Sequence, residues 1–204
     1  AGQTVTFEAG CVVRCAQNAE FDVQGTLVIA GTAAEPVVFG PAAGAVWGGV
    51  WIHGNAARLE ARHALFTGGG ANPDWIDDHG MHAHRSEQPV ITWSAGAAGL
   101  LEDSAIVDNP SSQCLHGEDA TFTIRRCLLQ KAITGGQIHN CTLTWEGNHL
   151  VELPVDDSFV DSATAGADHD GLYCDGGVTV IRDSVFGWCK DDAIDAGSGN
   201  TSNV

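Results

Sequence analysis

The chain has few basic residues. Nine Lys and Arg stand against 26 Asp and Glu, which gives a formal net charge of −17 at pH 7. A charge of this sign repels phosphate backbones and anionic lipid surfaces, so nucleic-acid binding is excluded as a main function. The chain also lacks the roughly 18–20 consecutive apolar residues that a membrane-spanning helix needs. We therefore expect no membrane span.

Helix signals are scarce as well. No amphipathic run of ten or more residues repeats at a 3.6-residue period, and 26 glycines lie among many Thr, Val and Ile. This composition is poor for helices and good for strands and turns. Because 44% of the residues are hydrophobic and only 17% are charged, the chain can build a core. The length predicts one all-β domain, residues 1–204.

The most informative feature that is present is an internal repeat. An apolar residue, two polar residues, a small Ser or Cys and a second apolar residue recur in the segments 101–106, 124–129, 138–143, 155–160 and 181–186. Strands that recur while their connecting loops vary in length are typical of a solenoid. The repeat therefore predicts a parallel β-helix in which each strand stacks on its next copy.

Cysteine usage bears on this stack. Seven cysteines suggest an oxidising compartment, and their odd number leaves at least one unpaired or bonded outside the chain. The repeat places Cys127 and Cys141 on neighbouring rungs, roughly 4.8 Å apart. A disulfide and a ladder of unbonded, buried thiols both fit that spacing.

Two stretches depart from the repeat. Residues at about 70–90 have too little periodicity for a strand, and they predict a long loop on one side of the coil. Residues 201–204 read as the entry to another coil, so we expect the domain to be truncated there and to continue in a longer chain. Exposed coil ends also allow end-to-end self-association.

The first half of the chain carries a resemblance. Residues 25–27 (GTL), 31–32 (GT), 36–39 (PVVF) and 47–52 (WGGVWI) follow one another as in the opening coils of bacterial right-handed parallel β-helix proteins. This resemblance implies an all-β, right-handed parallel β-helix.

An aspartate cluster near the C-terminus is the first candidate site. Asp170 and Asp191 are about one coil apart, and Asp192 follows directly. Carboxylates at close range favour either a raised pKa on one of them, as in a general acid, or a hard cation. Calcium is the candidate ion, and the candidate metal ligands here are Asp168, Asp170, Asp175 and Asp195.

The same cluster resembles the site of the polygalacturonase family. Asp170 matches the aspartate of that family's NTD motif, and Asp191 and Asp192 match its DD pair, which implies an inverting glycoside hydrolase with these three catalytic residues. Asp168-His169 stands where that family has Asn-Thr. The candidate substrate-binding residues are Lys190, Trp188 and His169.

A second resemblance covers more of the chain. DHDGLY (168–173) and KDDAIDAGSG (190–199), after the WGG coil, are similar to secreted bacterial β-helix proteins joined to lamin-tail or spore-coat CotH-like domains. It implies a secreted, periplasmic or cell-surface module that acts as a scaffold or engages a polysaccharide or other surface component. Plain turn chemistry is an equally simple reading of these Asp and Gly residues.

The predicted loop holds the second candidate site. His79, His82 and His84 lie within six residues, next to several aspartates. Imidazole and carboxylate ligands suit zinc, copper or iron, and a loop can bend to bring them together. The sequence therefore predicts a transition-metal site here, with a merely solvated loop as the alternative.

Overall fold

In a computed structural model, described for residues 2–153, 169–197 and 201–203, the chain is almost entirely β-strand. One helix, α1 (Trp75–Asp78), is four residues long. The strands are β1 (Thr4–Glu8), β2 (Val12–Cys15), β3 (Phe21–Val23), β4 (Thr26–Ala30), β5 (Val37–Pro41), β6 (Val50–His53), β7 (Arg58–Arg62), β8 (Ala64–Phe66), β9 (Pro89–Ser94), β10 (Ala98–Glu102), β11 (Ala105–Glu118), β12 (Thr121–Arg125), β13 (Leu128–Glu146), β14 (His149–Leu153), β15 (Leu172–Arg182), β16 (Val185–Cys189), β17 (Ile194–Ala196) and β18 (Thr201–Asn203).

The strands pair in parallel and form three faces of one solenoid. Face A contains β1, β4, β7, β10, β12, residues 142–146 of β13, residues 178–182 of β15, and β18. Face B contains β2, β5, β8, residues 105–107 of β11, residues 128–130 of β13, β14 and β16. Face C contains β3, β6, β9, residues 113–118 of β11, residues 134–139 of β13, residues 172–175 of β15, and β17. The predicted all-β parallel solenoid is confirmed.

The core lies inside the coil because alternate side chains of every strand point inward. In β9, for example, Ile91 and Trp93 are fully buried in the core cluster. Aromatic rings fill the first coils, where Phe39 stacks on Phe66 with ring centroids 5.0 Å apart. Three of the six tryptophans, Trp47, Trp93 and Trp145, are core residues with no exposed surface.

The corners of the solenoid use left-handed backbone at equivalent positions. Asp119 and Asn140 have φ of 51° at the corner between faces C and A, and Asp103 and Asp183 have φ of 50° and 49° between faces A and B. Asp and Asn tolerate this conformation better than most residues, because their short polar side chains bond locally. The many Asp and Asn residues at turns therefore have a structural role at these corners.

The register corrects part of the predicted repeat. Leu101, Ile124 and Ile181 do belong to one inward ladder of face A, with Trp145 between Ile124 and Ile181. Ile138, by contrast, pairs with Cys174 on face C. The segment 155–160 lies outside the described residues.

The same register separates the two cysteines that were predicted to face each other. Leu128 pairs with His149, so the position equivalent to Cys127 on the next rung is Asn148, whereas Cys141 pairs with Gly177. The prediction of adjacent Cys127 and Cys141 is wrong, since the repeat aligned segments of different faces. None of the seven cysteines forms a disulfide in this structure.

The predicted loop is present on one side of the coil. Residues 67–88, which we call the covering loop, connect β8 to β9 and include α1. Ile76 and Trp75 of α1 are buried, which shows that the loop packs against the solenoid. No helix among the described residues is long and apolar enough to span a bilayer.

Candidate functional site

Two ladders of outward side chains run along face C. Because the inward positions of β9 are Ile91 and Trp93, Thr92 and Ser94 point the other way. The Thr92 ladder consists of Trp51, Thr92, His116, Gln137, Tyr173 and Asp195. The Ser94 ladder consists of His53, Ser94, Glu118, His139 and Asp175. Face C thus presents two rows of polar and aromatic side chains, and successive residues within each row lie on neighbouring coils.

The covering loop buries much of this polar surface. His116 points outward from the coil and yet is 0% exposed. Gln113 and Gln137 hold the loop backbone: Gln113 Nε2 donates to the carbonyls of Arg85 and Glu87, at 2.9 and 2.7 Å. Gln137 Oε1 accepts the N–H of Arg85 at 3.0 Å. Since buried amides need partners, these bonds fix the loop to face C.

One loop histidine meets the Ser94 ladder. His82 Nε2 lies 3.5 Å from Asp175 Oδ2, and His139 Nδ1 lies 3.3 Å from the same oxygen. The rings of His82 and His139 have centroids 4.1 Å apart. One ligand atom from each of these three residues falls within 4.8 Å of the other two.

Two further ionisable groups adjoin this triad. Glu118 Oε2 accepts the backbone N–H of His82 at 2.9 Å. The same oxygen lies 3.7 Å from Nε2 of the buried His116. Burial lowers the pKa of His116, which favours the neutral imidazole. The ring of His116 and the N–H of His82 lower the pKa of Glu118, so the carboxylate is ionised.

A second group forms next to the first. His84, Asp170 and Asp195 bring ligand atoms within 4.8 Å of one another. The His84 ring packs on Tyr173, with centroids 3.7 Å apart. The structure thus joins the two candidate sites of the sequence, because His82 and His84 of the loop meet Asp175, Asp170 and Asp195 of the C-terminal cluster.

Other predicted residues lie apart from these groups. His79 packs against Trp75, with ring centroids 4.0 Å apart, and its Nδ1 is 2.7 Å from the carbonyl of Trp75. His169 is buried, and its Nδ1 is 3.2 Å from the carbonyl of Ile133. Asp168 lies outside the described residues.

The residues matched to the polygalacturonase motif are mostly at the surface. Lys190, Asp191 and Asp192 are exposed, and Trp188 is 80% exposed. Asp170 is buried, and its Oδ1 accepts the N–H of Asp192 at 3.3 Å. The rung partner of Asp170 is therefore Asp192 rather than Asp191.

A cleft adjoins the triad, between the covering loop and face C. It has a volume of about 230 Å³ and is lined mainly by Trp51, His53, His79, Met81, Glu118 and Asp119. The Trp51 ring stacks on His53 at 4.0 Å and meets the edge of Trp75 at 5.5 Å. Three of the described depressions are larger: one lies beside β1 and β3, one along the corner between faces A and B, and one between Glu20 and residues 71–75 of the covering loop.

Sequence reasoning missed the contributions of His116, Glu118, Gln137 and His139. A signal was available, since pairs of polar residues two apart recur at 92/94, 116/118, 137/139 and 173/175. Their rung assignment required the correct register, which the repeat did not provide.

No protein-family model matches this chain, and a search of curated proteins finds no significant match.

Proposed function

We propose that this protein is a non-catalytic β-helix module that binds a neutral carbohydrate chain in the cleft between the covering loop and face C. The observation that carries the proposal is the composition of this cleft. Trp51, His53 and His79 supply flat rings, and Glu118 and Asp119 supply hydrogen-bond acceptors. Rings that pack against a sugar, together with acceptors for its hydroxyls, are the two groups that a sugar site needs.

The charge of the molecule narrows the ligand class. With a net charge of −17, the chain repels polyanions such as galacturonan. The carboxylates of Glu118 and Asp119 in the cleft also repel an anionic ligand. A neutral polysaccharide is therefore favoured over an acidic one.

The sequence predicts calcium binding by the aspartate cluster. The ligand atoms that the structure brings together favour a different ion. Calcium takes six to eight oxygen ligands. The described groups combine imidazole nitrogen with carboxylate, and Asp191 and Asp192 are exposed.

A secreted, periplasmic or cell-surface location is part of the same proposal. It is supported by the resemblance of the opening coils to secreted bacterial proteins. The unbonded cysteines give it no support.

The experiment is a binding and hydrolysis assay on one panel of neutral and acidic polysaccharides. We expect retention of the protein by a neutral polysaccharide, loss of retention in Trp51→Ala, and normal retention in Trp188→Ala, at the exposed tryptophan of the alternative site in the C-terminal cluster. The release of reducing ends is measured in parallel for the wild type and for Asp170→Asn and Asp191→Asn.

Two results would contradict the proposal. Retention that Trp51→Ala leaves unchanged contradicts the cleft as the site. Reducing-end release that is lost in an Asp variant contradicts the non-catalytic proposal and establishes the hydrolase that the polygalacturonase resemblance implies.

A further inference from the structure

The triad of His82, His139 and Asp175 has the geometry of a metal site. An ion with tetrahedral ligands at about 2.0–2.1 Å keeps its ligand atoms roughly 3.4 Å apart. Asp175 Oδ2 lies 3.3 Å from His139 Nδ1 and 3.5 Å from His82 Nε2. These separations match that requirement without movement of the backbone.

Two atoms of this group also lack hydrogen-bond partners. His139 Nδ1 and Asp175 Oδ1 are shielded from solvent and make no hydrogen bond. Next to them, His116 is fully buried with both ring nitrogens unbonded, and its Nε2 points towards Glu118 at 3.7 Å. Buried polar atoms without partners cost free energy, and a bound ion is one way to satisfy them.

We propose that His82, His139 and Asp175 bind a first-row transition-metal ion of the zinc type, with Glu118 and His116 as the surrounding groups. Two nitrogens and one carboxylate oxygen suit zinc better than calcium or magnesium, which prefer oxygen ligands. His82 is half exposed, so a fourth coordination position faces solvent.

A bound ion would connect the covering loop to the solenoid, because its three ligands come from both. His82 belongs to the covering loop, whereas His139 and Asp175 belong to neighbouring rungs of face C. Binding therefore cross-links the loop to two coils. The metal proposal does not rest on carbohydrate binding, although Glu118 adjoins both sites, and its test needs no sugar.

The test measures Zn²⁺ binding to the metal-free chain by calorimetry, and Co²⁺ binding by its visible absorption. We expect one ion per chain at this site and the intense visible bands of tetrahedral Co²⁺. His139→Ala and Asp175→Asn should weaken binding by roughly 10–100-fold or more. His149→Ala, at an exposed histidine of face B, is the matched control and should bind as the wild type does.

Hydrogen exchange gives the second readout. Zn²⁺ should slow the exchange of loop amides near His82 in the wild type and in His149→Ala, but not in His139→Ala. Thermal unfolding without metal shows whether each variant is folded, and Asp175→Asn keeps the side-chain shape.

Three results overturn the proposal. The first is a wild type that binds no Zn²⁺. The second is equal affinity in the wild type, His139→Ala and Asp175→Asn. The third is binding that His84→Ala abolishes while the triad variants retain it, because the ion then belongs to the group of His84, Asp170 and Asp195.

Discussion

Glu102 shows how a single residue connects several coils at the surface. It lies in a ladder on face A between Arg62 and Arg125, and Glu146 and Arg182 continue the ladder. Its carboxylate contacts Arg62 at 2.9 Å, Arg125 at 2.6 Å and Arg126. Charges thus alternate from rung to rung, which replaces repulsion between like neighbours by attraction.

The first prediction concerns Glu102. Hydrogen bonds from Arg125, and then from Arg126 and Arg62, lower its pKa to about 2. A lowered pKa stabilises the fold at pH values above the ordinary pKa of 4.5, and this contribution is lost as the pH falls towards 2. Glu102→Gln should therefore lower the free energy of unfolding by about 1–3 kcal/mol at neutral pH.

Urea unfolding as a function of pH checks this prediction. The difference between wild type and variant should shrink between pH 4.5 and 2, because the wild type then loses the same charge. Glu146→Gln is the control, since Glu146 is exposed in the same ladder. A difference that does not depend on pH would contradict the role of ionisation.

The second prediction concerns the thiols. Burial raises the pKa of Cys127 and Cys141 to about 12, and that of Cys174 and Cys189 to about 11. The thiolate is the reactive form, so these four thiols of the native protein should react slowly with a thiol reagent near neutral pH. Seven thiols should react after unfolding without a reductant. A count of five or fewer would show a disulfide.

At the scale of the elements, the covering loop depends on a few polar side chains of the solenoid. Gln113 and Gln137 bind its backbone near Arg85, and Glu20 accepts hydrogen bonds from Trp75 at 2.8 Å and from Gln88 at 2.6 Å. Together with the bond from the His82 N–H to Glu118, these bonds attach the loop to the solenoid at several places, although it has little regular structure of its own.

The third prediction follows from this attachment. Gln137→Ala removes the acceptor of the His84 and Arg85 N–H groups and one of the two donors to the Arg85 carbonyl. We expect the exchange of loop amides near Arg85 to become roughly tenfold faster or more, while the core strands keep their protection. Hydrogen exchange with mass spectrometry measures both.

The control for that variant is Gln130→Ala. Gln130 lies on face B and donates to Glu152. Equal loop exchange in the two variants would show that Gln137 does not hold the loop.

The sequence predicted the element types and the position of the loop, but not its contacts. Alternation and turn residues are local signals, and they indicate strands and an insertion at about 70–90. Which coil the loop covers depends on pairs such as Arg85 and Gln137, 52 residues apart. Such long-range pairs can be predicted only when the register of every coil in between is known.

At the scale of the whole molecule, the fold was predictable because each coil repeats the same requirement for inward apolar side chains. The candidate site was predictable only in part. Local clusters of His and Asp in the sequence indicated His82, His84, Asp170, Asp175 and Asp195 in two separate candidate sites, whereas their convergence came from the register on face C. The prediction that Cys127 faces Cys141 was wrong for the same reason, because the sequence alone did not provide the register.

The fourth prediction concerns the first coil. Strands β1, β2 and β3 each have one partner among the described residues, and Val5 and Val12 are 54% and 63% exposed. Unpaired strand edges favour association, and the net charge of −17 opposes it. Sedimentation should therefore show more dimer at high salt than at low salt.

Val5→Lys combined with Val12→Lys tests the surface involved. It should abolish the salt-dependent dimer, whereas Val178→Lys, at an exposed valine of a later coil, should leave it intact. A dimer that is insensitive to the first-coil variant would place the contact elsewhere.

The repeated corner geometry makes the chemistry of face C modular. Asp119 and Asn140 both turn the chain with φ of 51°, one coil apart. A deletion of residues 119–139 would join Glu118 to Asn140 across equivalent corners, and it would place Glu118 on the rung next to Asp175. Loss of one coil would then preserve the solenoid while exchanging a histidine–carboxylate pair for two carboxylates. Deletion of one coil would thus change the metal preference of this surface, from ions that bind nitrogen ligands to ions that bind oxygen ligands.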